Sequence, residues 1–260
     1  MTYSMEATIE ATRLEEQVFQ KNYNIAEELS RFQFSSTEVV LDAGCGTGVL
    51  ARYLADQFNI KKIDGLDYSD LRIKQASDFS KAKAGQNIQF YQQDLSNINP
   101  EFHNKYDTVI CRYVLEHTPD PIKVMKELKK TLKTNGRLII FELDGVFINL
   151  YSQNKKFNEY MKEITKNFNF DLEIGRKLPS LLKMAGFKNV EWDAELISCK
   201  RERLREEILN TEKRFIALEP YLTQMLGSSL RYQEFAKLYL EEMAQPENTL
   251  VFTKYICSAT

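Results

Sequence analysis

A glycine-rich segment between two regular elements is the feature that most constrains this chain. An apolar run ends at Asp42, and Gly44, Gly46 and Gly48 then alternate with other residues before a helical pattern begins. Because glycine has no Cβ, such a loop can adopt unusual backbone angles and let a ligand approach the main chain. The free N–H groups of the following helix would lie at the same place. The segment predicts a strand–loop–helix unit that binds a small ligand, although a tight turn without a ligand would leave the same pattern.

The spacing of these glycines separates two classes of ligand. A dinucleotide-binding loop has the pattern G-x-G-x-x-G and holds a pyrophosphate, whereas this chain reads D-x-G-x-G-x-G from Asp42 to Gly48. Val49 stands where the third glycine of a dinucleotide loop would be. The carboxylate of Asp42 would repel a phosphate and suits a ligand with an ammonium group. The pattern therefore disfavours a nucleotide-dependent dehydrogenase.

Short apolar runs alternate with helical patterns along most of the chain. Helices are predicted at residues 5–33, 48–58, 70–83 and 121–133, the last with Asp120 as its N-cap and Asn135-Gly136 as its end. The predicted strands are Val39–Leu41, Ile63–Leu66, Ile88–Tyr91, Thr108–Cys111 and Leu138–Phe141, with two more at residues 189–198 and 249–259. This alternation predicts a doubly wound α/β fold with a mostly parallel sheet covered on both faces.

Five segments in this order resemble the class I S-adenosylmethionine-dependent methyltransferases. Asp42–Gly48 resembles the first motif of that family, and Ile63–Asp67 resembles its second strand, which ends in an acid. The others are Gln93–Leu95, similar to the segment that contacts adenine, Tyr106–Arg112, similar to the fourth strand, and Leu115–Pro121, similar to the L-x-H-x-x-D-P stretch of small-molecule members. The resemblance weakens before residue 36 and after residue 145. It implies a seven-stranded Rossmann-like sheet and S-adenosyl-L-methionine as the cofactor.

The resemblance also implies which residues hold the cofactor. They are Asp42, Gly44, Cys45, Gly46, Gly48, Asp67, Tyr68, Asp94, Leu95 and Arg112, at or just after predicted strand ends. In an open parallel sheet, ligands bind beyond the carboxyl ends of the strands. Asp67 would take both ribose hydroxyls, and Arg112 would hold the methionine carboxylate. A helix-capping acid at Asp67, a turn residue at Asp94 and a surface ion pair at Arg112 are the alternatives.

The N-terminal segment is expected to form a lid. Arg13 and Gln17 belong to the sequence R-L-E-E-Q, which resembles an R-L-x-x-Q segment found in relatives that also have an arginine after the fourth strand. One helical turn separates the two side chains, so they face the same way and could reach the methionine end of the cofactor. Leu14 and Val18 would pack on the cap that follows residue 145. A solvated helix face is the alternative.

His117 is the candidate catalytic residue, because it follows the fourth strand close to the expected site of methyl transfer. Histidine has an unperturbed pKa near neutrality, which suits a general base, but a packing role is the alternative. Glu142 and Asp144 follow the fifth strand, where a solvated edge explains them. We recognise no set of acids typical of the metal-dependent catechol methyltransferases, so no metal is expected.

Composition and missing motifs disfavour a nucleic-acid substrate. The 260 residues carry a formal net charge of −2, which argues against a surface built to bind phosphate backbones. Tyr-Val-Leu follows Arg112 where amino-adenine methyltransferases have [D/N]-P-P-[Y/F], and no Pro-Cys pair of the cytosine-C5 enzymes is present. An RNA methyltransferase is therefore a less favoured interpretation.

The cysteines and the start of the sequence indicate a cellular location. The four cysteines, Cys45, Cys111, Cys199 and Cys257, are isolated, which suits free thiols in a reducing compartment. The first residues lack the basic and apolar regions of a signal peptide, and no apolar run is long enough for a transmembrane helix. We expect a cytoplasmic monomer or homodimer without a membrane partner.

We interpret the chain as one methyltransferase domain with three parts. Residues 1–35 form the lid, residues 36–144 the cofactor-binding core, and residues 145–260 an acceptor cap together with the last part of the sheet. Aromatic residues concentrated between 147 and 170 suit either a pocket for an apolar or planar acceptor or the packing of a helix. The predicted function is methyl transfer from S-adenosylmethionine to an O, N or C atom of a small organic acceptor. A non-catalytic S-adenosylmethionine-binding sensor or scaffold is the alternative.

Overall fold

One sheet of eight strands organises residues 7–60, 62–81 and 88–260, which the computed structural model describes. The strands are β1 (Val39–Ala43), β2 (Lys62–Asp67), β3 (Ile88–Gln92), β4 (Tyr106–Arg112), β5 (Leu132–Asp144), β6 (Leu150–Tyr151), β7 (Val190–Ser198) and β8 (Thr249–Ala259). Their order is β3-β2-β1-β4-β5-β8, and β6 and β7 also pair with β8. Strands β1 to β5 are parallel, whereas β8 is antiparallel to β5, β6 and β7.

This topology confirms the predicted fold class. Seven strands form the expected mostly parallel sheet, and the two-residue β6 is an addition. Strand β1 lies between β2 and β4, so the strand order reverses at β1. In an open α/β sheet the connections that leave such neighbours diverge, which opens a crevice at the carboxyl ends of the strands.

Helices cover both faces of the sheet. They are α1 (Thr8–Gln17), α2 (Ile25–Leu29), α3 (Val49–Phe58), α4 (Asp70–Lys81), α5 (Pro121–Thr131), α6 (Lys155–Asn167), α7 (Ile174–Met184), α8 (Glu202–Leu226) and α9 (Ser229–Ala244). Leu41 and Val109 belong to the apolar cluster that contains residues of α5 and α7. Val40 and Ile110, their neighbours along β1 and β4, belong to the cluster of α2 and α3. Each central strand is thus buried on both sides, as a doubly wound fold requires.

The N-terminal helix of the sequence prediction is two shorter helices, α1 and α2. Asn24 ends the intervening turn, because its Oδ1 accepts the backbone N–H groups of Ala26 and Glu27 at 2.9 and 3.1 Å. Such a side chain satisfies donors that the first helical turn leaves open, and so starts a new helix. Residues 5 and 6 of this predicted helix, and residues 82 and 83 of the helix predicted at 70–83, lie outside the described part of the chain.

The two ends of α5 compare differently with their prediction. Asp120 caps the helix as expected, with its Oδ1 accepting the Lys123 N–H at 2.9 Å. The predicted end at Asn135-Gly136 is wrong, because the helix ends at Thr131 and β5 begins at once. The carbonyl of Thr131 accepts the N–H of Lys105 at 2.9 Å, a long-range bond that replaces a further helical turn. Asn135, with φ of 66°, lies in an irregular part of β5.

An aromatic cluster forms the core of a helical cap built from α6, α8 and α9. Its centre lies among the rings of Phe147, Phe157, Phe215, Phe235 and Tyr239. The rings of Phe215 and Phe235 have centroids 5.6 Å apart at an angle of 61°, a geometry that aromatic pairs favour. Helix packing therefore explains much of the aromatic stretch. Within the described residues, no helix combines the length and apolar character needed to cross a membrane.

Replacing a central ring of this cap should destabilise the protein. We expect Phe235→Ala to lower the free energy of unfolding by about 3–5 kcal/mol, because it leaves a cavity between α8 and α9. Leu230→Ala is the matched control, since Leu230 lies on the same helix but is 77% exposed, and it should change stability by less than about 0.5 kcal/mol. Chemical denaturation measures both. Equal stability of the two variants would contradict a cap that unfolds together with the sheet.

Candidate active site

Three predicted site residues meet where β1, β2 and β4 end. In the strand registers Ala43 lies opposite both Leu66 and Cys111, so Asp67 and Arg112 follow on either side of the loop that leaves β1. Asp42, one residue earlier, is 2% exposed. The sheet therefore brings these residues together at its carboxyl edge, as expected from the strand–helix alternation.

The glycines between β1 and α3 are required by geometry. Gly44, Gly46 and Gly48 have φ angles of 79°, 53° and 76°, in the left-handed region that other residues rarely adopt. A Cβ on Gly44 would lie 2.4 Å from a methyl group of Val114, and one on Gly48 would lie 2.5 Å from the ring of Phe90. The loop thus packs its backbone directly against the segments that follow β4 and form β3.

Asp67 holds this loop in place. Its Oδ2 accepts the N–H of Gly46 at 2.8 Å, and its Oδ1 accepts the N–H of Ser69 at 2.9 Å. Burial raises the pKa of Asp67, and these two backbone hydrogen bonds partly offset the rise. Asp67 therefore caps the turn at Ser69 and also lies at the end of β2, so its two interpretations are compatible. A carboxylate has about four lone-pair sites, so Asp67 can still accept two hydroxyl groups.

Asp42 is a buried acid, and one of its carboxylate oxygens is available to accept a hydrogen bond. Its Oδ2 has no hydrogen-bond partner, and burial raises the pKa of its carboxyl to about 7, with Asp67 adding to the rise. An unpaired buried acceptor is costly, and a cationic donor is the partner that would relieve it best. This chemistry fits the ammonium group that the sequence pattern suggested.

Arg112 lies in a buried ion cluster, which corrects the alternative of a surface ion pair. Its Nε donates to Glu28 Oε2 at 2.7 Å, and one Nη donates to the carbonyl of Tyr23 at 2.8 Å. Its guanidinium carbon lies 4.3 Å from the ring centroid of Tyr113. Lys254 of β8 also pairs with Glu28, at 2.8 Å. The cluster joins α2 and the turn before it to two strands of the sheet.

The segment after β3 is partly brought to the site. Asp94 is exposed, and its Oδ1 accepts the N–H of Ser96 at 2.8 Å. Asp94 thus stabilises a turn, which was the alternative interpretation of this residue. Leu95 is 7% exposed in the core, whereas Tyr68 is 49% exposed. Gln93 N–H donates to the carbonyl of Asp67 at 2.9 Å, which keeps this segment beside the end of β2. Any cofactor contact of these residues stays a prediction.

Arg13 and Gln17 are buried on α1, which overturns the solvated alternative. Arg13 donates to both carboxylate oxygens of Glu10, at 2.6 and 2.7 Å, and to Asn210 Oδ1 of α8 at 3.1 Å. Among the hydrogen bonds of the described residues, none involves the Gln17 side chain. The expected packing is wrong for Val18, which belongs to the apolar cluster of α2 and α3 and not to the cap. The reason is the turn after α1, which redirects the chain toward the sheet.

A clamp that sequence reasoning missed fastens α1 to the glycine loop. Glu15 Oε1 accepts the Thr47 hydroxyl at 2.5 Å, and Arg52 of α3 donates to both Glu15 oxygens at 2.6 Å. Arg52 also donates to the Thr47 carbonyl at 2.6 Å. The side chain of Leu14 lies over Gly46. Charge alone could have suggested a partner for Glu15, but only the fold brings Arg52 to it.

His117 lies between the strand ends and the cap. Its Nε2 is 3.3 Å from Glu116 Oε1. Its ring packs edge-on against the ring of Phe170, with the two ring centroids 4.8 Å apart. Burial would raise the pKa of Glu116, but the neighbouring His117 brings it below its ordinary value. The histidine is thus both packed and paired with a carboxylate, so its two interpretations are compatible.

The solvated edge expected at Glu142 and Asp144 is wrong. Glu142 is fully buried, and its Oε1 accepts the N–H groups of Val114 and Leu115 at 2.8 and 2.6 Å. Asp144 is 2% exposed and is paired with Arg176. The turn after β4 and helix α7 cover this end of β5, which a strand pattern alone does not reveal. Glu142 thereby fixes the turn that carries His117.

The cap adds polar side chains that the sequence did not single out. On α8, Glu207 Oε1 accepts the hydroxyl of Tyr23 at 2.9 Å, and Arg214 lies 3.5 Å from the same hydroxyl. Both residues contact the turn before α2 through Tyr23, and the charge of Arg214 also lowers the pKa of Glu116 beside His117. Over the described ranges, no group of three or more His, Cys, Asp and Glu side chains could hold a metal ion.

A sequence profile of the family described as "Methyltransferase domain" matches residues 34–217. This chain belongs to that family. It is a class I S-adenosylmethionine-dependent methyltransferase, so S-adenosylmethionine is its cofactor and the resemblance seen in the sequence is confirmed.

Relatives of this methyltransferase have several kinds of acceptor. It is 29% identical over 170 residues to a demethylmenaquinone methyltransferase of Lactococcus lactis, covering 59% of this chain and 67% of that one. It is 35% identical over 113 residues to a tRNA U34 carboxymethyltransferase of Campylobacter fetus, covering 43% of this chain and 37% of that one. A Haemonchus contortus phosphoethanolamine N-methyltransferase 2 in complex with S-adenosyl-L-methionine shares the fold, with a TM-score of 0.63 at 20% identity over 97% of this chain and 56% of that one.

Loss of the clamp at Glu15 should loosen α1 from the glycine loop. We expect Glu15→Gln to weaken binding of S-adenosylhomocysteine about tenfold, since hydrogen bonds to a charged group contribute about 1.5–3 kcal/mol and the clamp joins α1 to the loop through Thr47. Hydrogen exchange in α1 should become faster. Glu16→Gln is the matched control, because Glu16 pairs with the Lys213 side chain at the surface. Identical affinity and exchange in the two variants would show that α1 is only a packing element.

Proposed function

We propose that this methyltransferase transfers the methyl group of S-adenosylmethionine to an O, N or C atom of a small organic acceptor. The supporting observation is the position of His117, which follows β4 beside the cofactor strand ends and contacts Phe170 of the cap. An acceptor between these two parts would reach both the reacting methyl group and an aromatic wall. The lid of residues 1–35, the core of residues 36–144 and the cap with the last strands of residues 145–260 are the three parts that we assign to this function.

The residues at the strand ends fit the cofactor. Asp67 has lone pairs available for the ribose hydroxyls, and the unpartnered Oδ2 of Asp42 suits the ammonium group. Arg112 is held at the end of β4 by Glu28 and offers its remaining N–H donors to the carboxylate. When bound, S-adenosylmethionine supplies an electrophilic methyl group, so the protein mainly has to align the acceptor and exclude water.

The pair of His117 and Glu116 is suited to handle a proton. At 3.3 Å, the Glu116 carboxylate would orient the imidazole and stabilise its protonated form. Because Nε2 faces this carboxylate and carries a proton there, Nδ1 would receive the proton that a hydroxyl or carbon acid loses on methylation. Glu142 contributes by holding the backbone of this turn.

A small molecule is favoured over tRNA as the acceptor. The net charge of −2 does not favour binding to phosphate backbones. The match to the tRNA enzyme covers only 37% of that protein. All four cysteines are free thiols, which supports a cytoplasmic location. A monomer or a homodimer remains our prediction for the assembly.

Calorimetry and a turnover assay test the proposal. S-adenosylhomocysteine should bind, NAD should not, and a labelled methyl group should pass to at least one compound in a panel of phenols, amines and quinols. Transfer to tRNA without transfer to any small molecule would overturn the proposed acceptor class while leaving the cofactor assignment intact.

Asp67→Ala should weaken S-adenosylhomocysteine binding by about 1.5–3 kcal/mol, the range for hydrogen bonds to a charged group. The variant should also lose some thermal stability, since the N–H groups of Gly46 and Ser69 lose their acceptor. The control is Asp70→Ala, an exposed acid paired with Lys74 in α4. Calorimetry and thermal unfolding of both variants separate the effects. Unchanged affinity with lower stability would reduce Asp67 to a turn-stabilising residue.

The pH dependence of cofactor binding should reveal Asp42. The pKa of its carboxyl is about 7 in the free protein, and a cationic ligand favours the ionised form. Affinity should therefore rise with pH, by up to about tenfold per unit, until about pH 7, and level off above it. The ligand itself also titrates, so the affinity of Asp42→Asn is measured over the same pH range and its profile is subtracted from that of the unmodified protein. Parallel profiles for the two proteins would exclude a contact between Asp42 and the ammonium group.

A further inference from the structure

Helix α8 carries two nitrogen donors, Asn210 beside Arg13 of α1 and Arg214, whose charge acts on Glu116 in the turn of His117. Asn210 and Arg214 are one helical turn apart and therefore share a face of the helix. We propose that these two side chains form a subsite for a negatively charged oxygen on an aromatic methyl acceptor. The inference rests on the proposed function and goes beyond it by naming the class of acceptor and the residues that select it.

Asn210 supplies a fixed and unused donor. It is 1% exposed, and its Oδ1 accepts from Arg13 at 3.1 Å. This bond orients the amide, so Nδ2 is directed away from Arg13, and Nδ2 has no hydrogen-bond partner. Burying an unpaired donor is unfavourable, and a bound oxygen atom would remove that cost.

Arg214 supplies a positive charge whose hydrogen-bond contacts with its neighbours are long. Its side chain is 14% exposed and lies 3.6 Å from Glu207 and 3.5 Å from the Tyr23 hydroxyl. Buried arginines elsewhere in the site have much closer partners, such as the Arg13 contact with Glu10 at 2.6 Å. Glu207 is itself engaged by the shorter hydrogen bond from Tyr23, at 2.9 Å. The guanidinium therefore keeps donors available for a ligand.

Aromatic rings next to these donors suit a planar acceptor. The ring centroids of Phe170 and Tyr221 are 5.7 Å apart, and Phe170 also contacts His117. Tyr221 is two helical turns beyond Arg214 on α8 and so extends the same face. The N–H of Asp171 donates to the Glu116 carbonyl at 2.9 Å, which holds this wall against the turn.

The charges around the subsite select a singly charged oxygen. Burial would lower the pKa of Arg214, but Tyr23 and the nearby acids Glu207 and Glu116 raise it, so the guanidinium stays charged. Because Arg214 offers one positive charge beside these two acids, a dianion such as a phosphate monoester would bring one more negative charge than the guanidinium can balance. Asn210 Nδ2 and the guanidinium can only donate, so they would not hold an ammonium group. A carboxylate or a phenolate oxygen has the matching chemistry.

Matched ligand pairs test the subsite. Calorimetry at pH 8 on protein saturated with S-adenosylhomocysteine compares 3,4-dimethoxybenzoate with its methyl ester, and 4-nitrophenolate with 4-nitroanisole. The first pair reports a carboxylate and the second a phenolate. At least one anion should bind about tenfold more tightly than its neutral partner, as a hydrogen-bonded charge of about 1.4 kcal/mol gives. Arg214→Gln should reduce that preference to below twofold, and Arg214→Lys should retain part of it.

The control is Arg205→Gln, an exposed arginine on the same helix, which should keep the full preference. The subsite is overturned if neither anion is preferred by the unmodified protein, or if Arg214→Gln keeps the preference. A tenfold loss of S-adenosylhomocysteine affinity in Arg214→Gln would assign Arg214 to the cofactor and also overturn it. Should Arg214→Gln fail to fold, Arg214→Lys replaces it. A partly reduced preference in Arg214→Lys supports the subsite, and a preference equal to that of the unmodified protein overturns it. Absence of S-adenosylhomocysteine binding by the unmodified protein would instead reject the proposed function itself.

Discussion

The carboxylate of Glu28 is the contact on which the rest of the site depends. It accepts from Arg112 and from the Tyr113 hydroxyl, and it pairs with Lys254. Burial would raise the pKa of Glu28, but Arg112 and Lys254 bring it below its ordinary value, so the acid stays ionised. A buried charge is tolerated only when its partners satisfy it fully. The N-terminal segment, β4 and β8 are therefore held in one fixed arrangement.

This arrangement couples the two halves of the crevice. The backbone carbonyl of Tyr23 accepts a hydrogen bond from Arg112 at the strand end, and its hydroxyl donates one to Glu207 of the cap. A single residue thus contacts the strand end and the helix that would face the acceptor. The glycine loop is held in the same manner from both sides, by Asp67 from the sheet and by Glu15 of α1 through Thr47. A site built from such cross-links can be preorganised, which is what alignment of two reactants requires.

The sequence was sufficient wherever local chemistry decides the structure. Alternating strands and helices gave the sheet, and Asp120 gave the start of α5, because apolar periodicity and N-capping act between near neighbours. The end of α5 was missed, since a bond from Lys105 to Thr131 replaces the turn that Asn135-Gly136 suggested. The clamp between Glu15 and Arg52 depends on residues far apart in the chain, and no local pattern encodes it. Motif resemblance predicted cofactor residues at the strand ends, but it gave no sign that α8 would contact α1 through Asn210 and Arg13.

The position of β8 has a consequence for how the protein is made. Strand β5 pairs with β4 along one edge and with β8 along the other. Strand β4 precedes it in the chain, whereas β8 follows the whole helical cap. Lys254, the partner of Glu28 from near the opposite end of the chain, lies on the same late strand. During synthesis β5 therefore has an open edge, which other chains can pair with, until the ribosome has released β8. Contacts between such distant segments also form slowly, so we expect the pairing of β8 with β5 to be a late step, which completes the sheet beside the crevice.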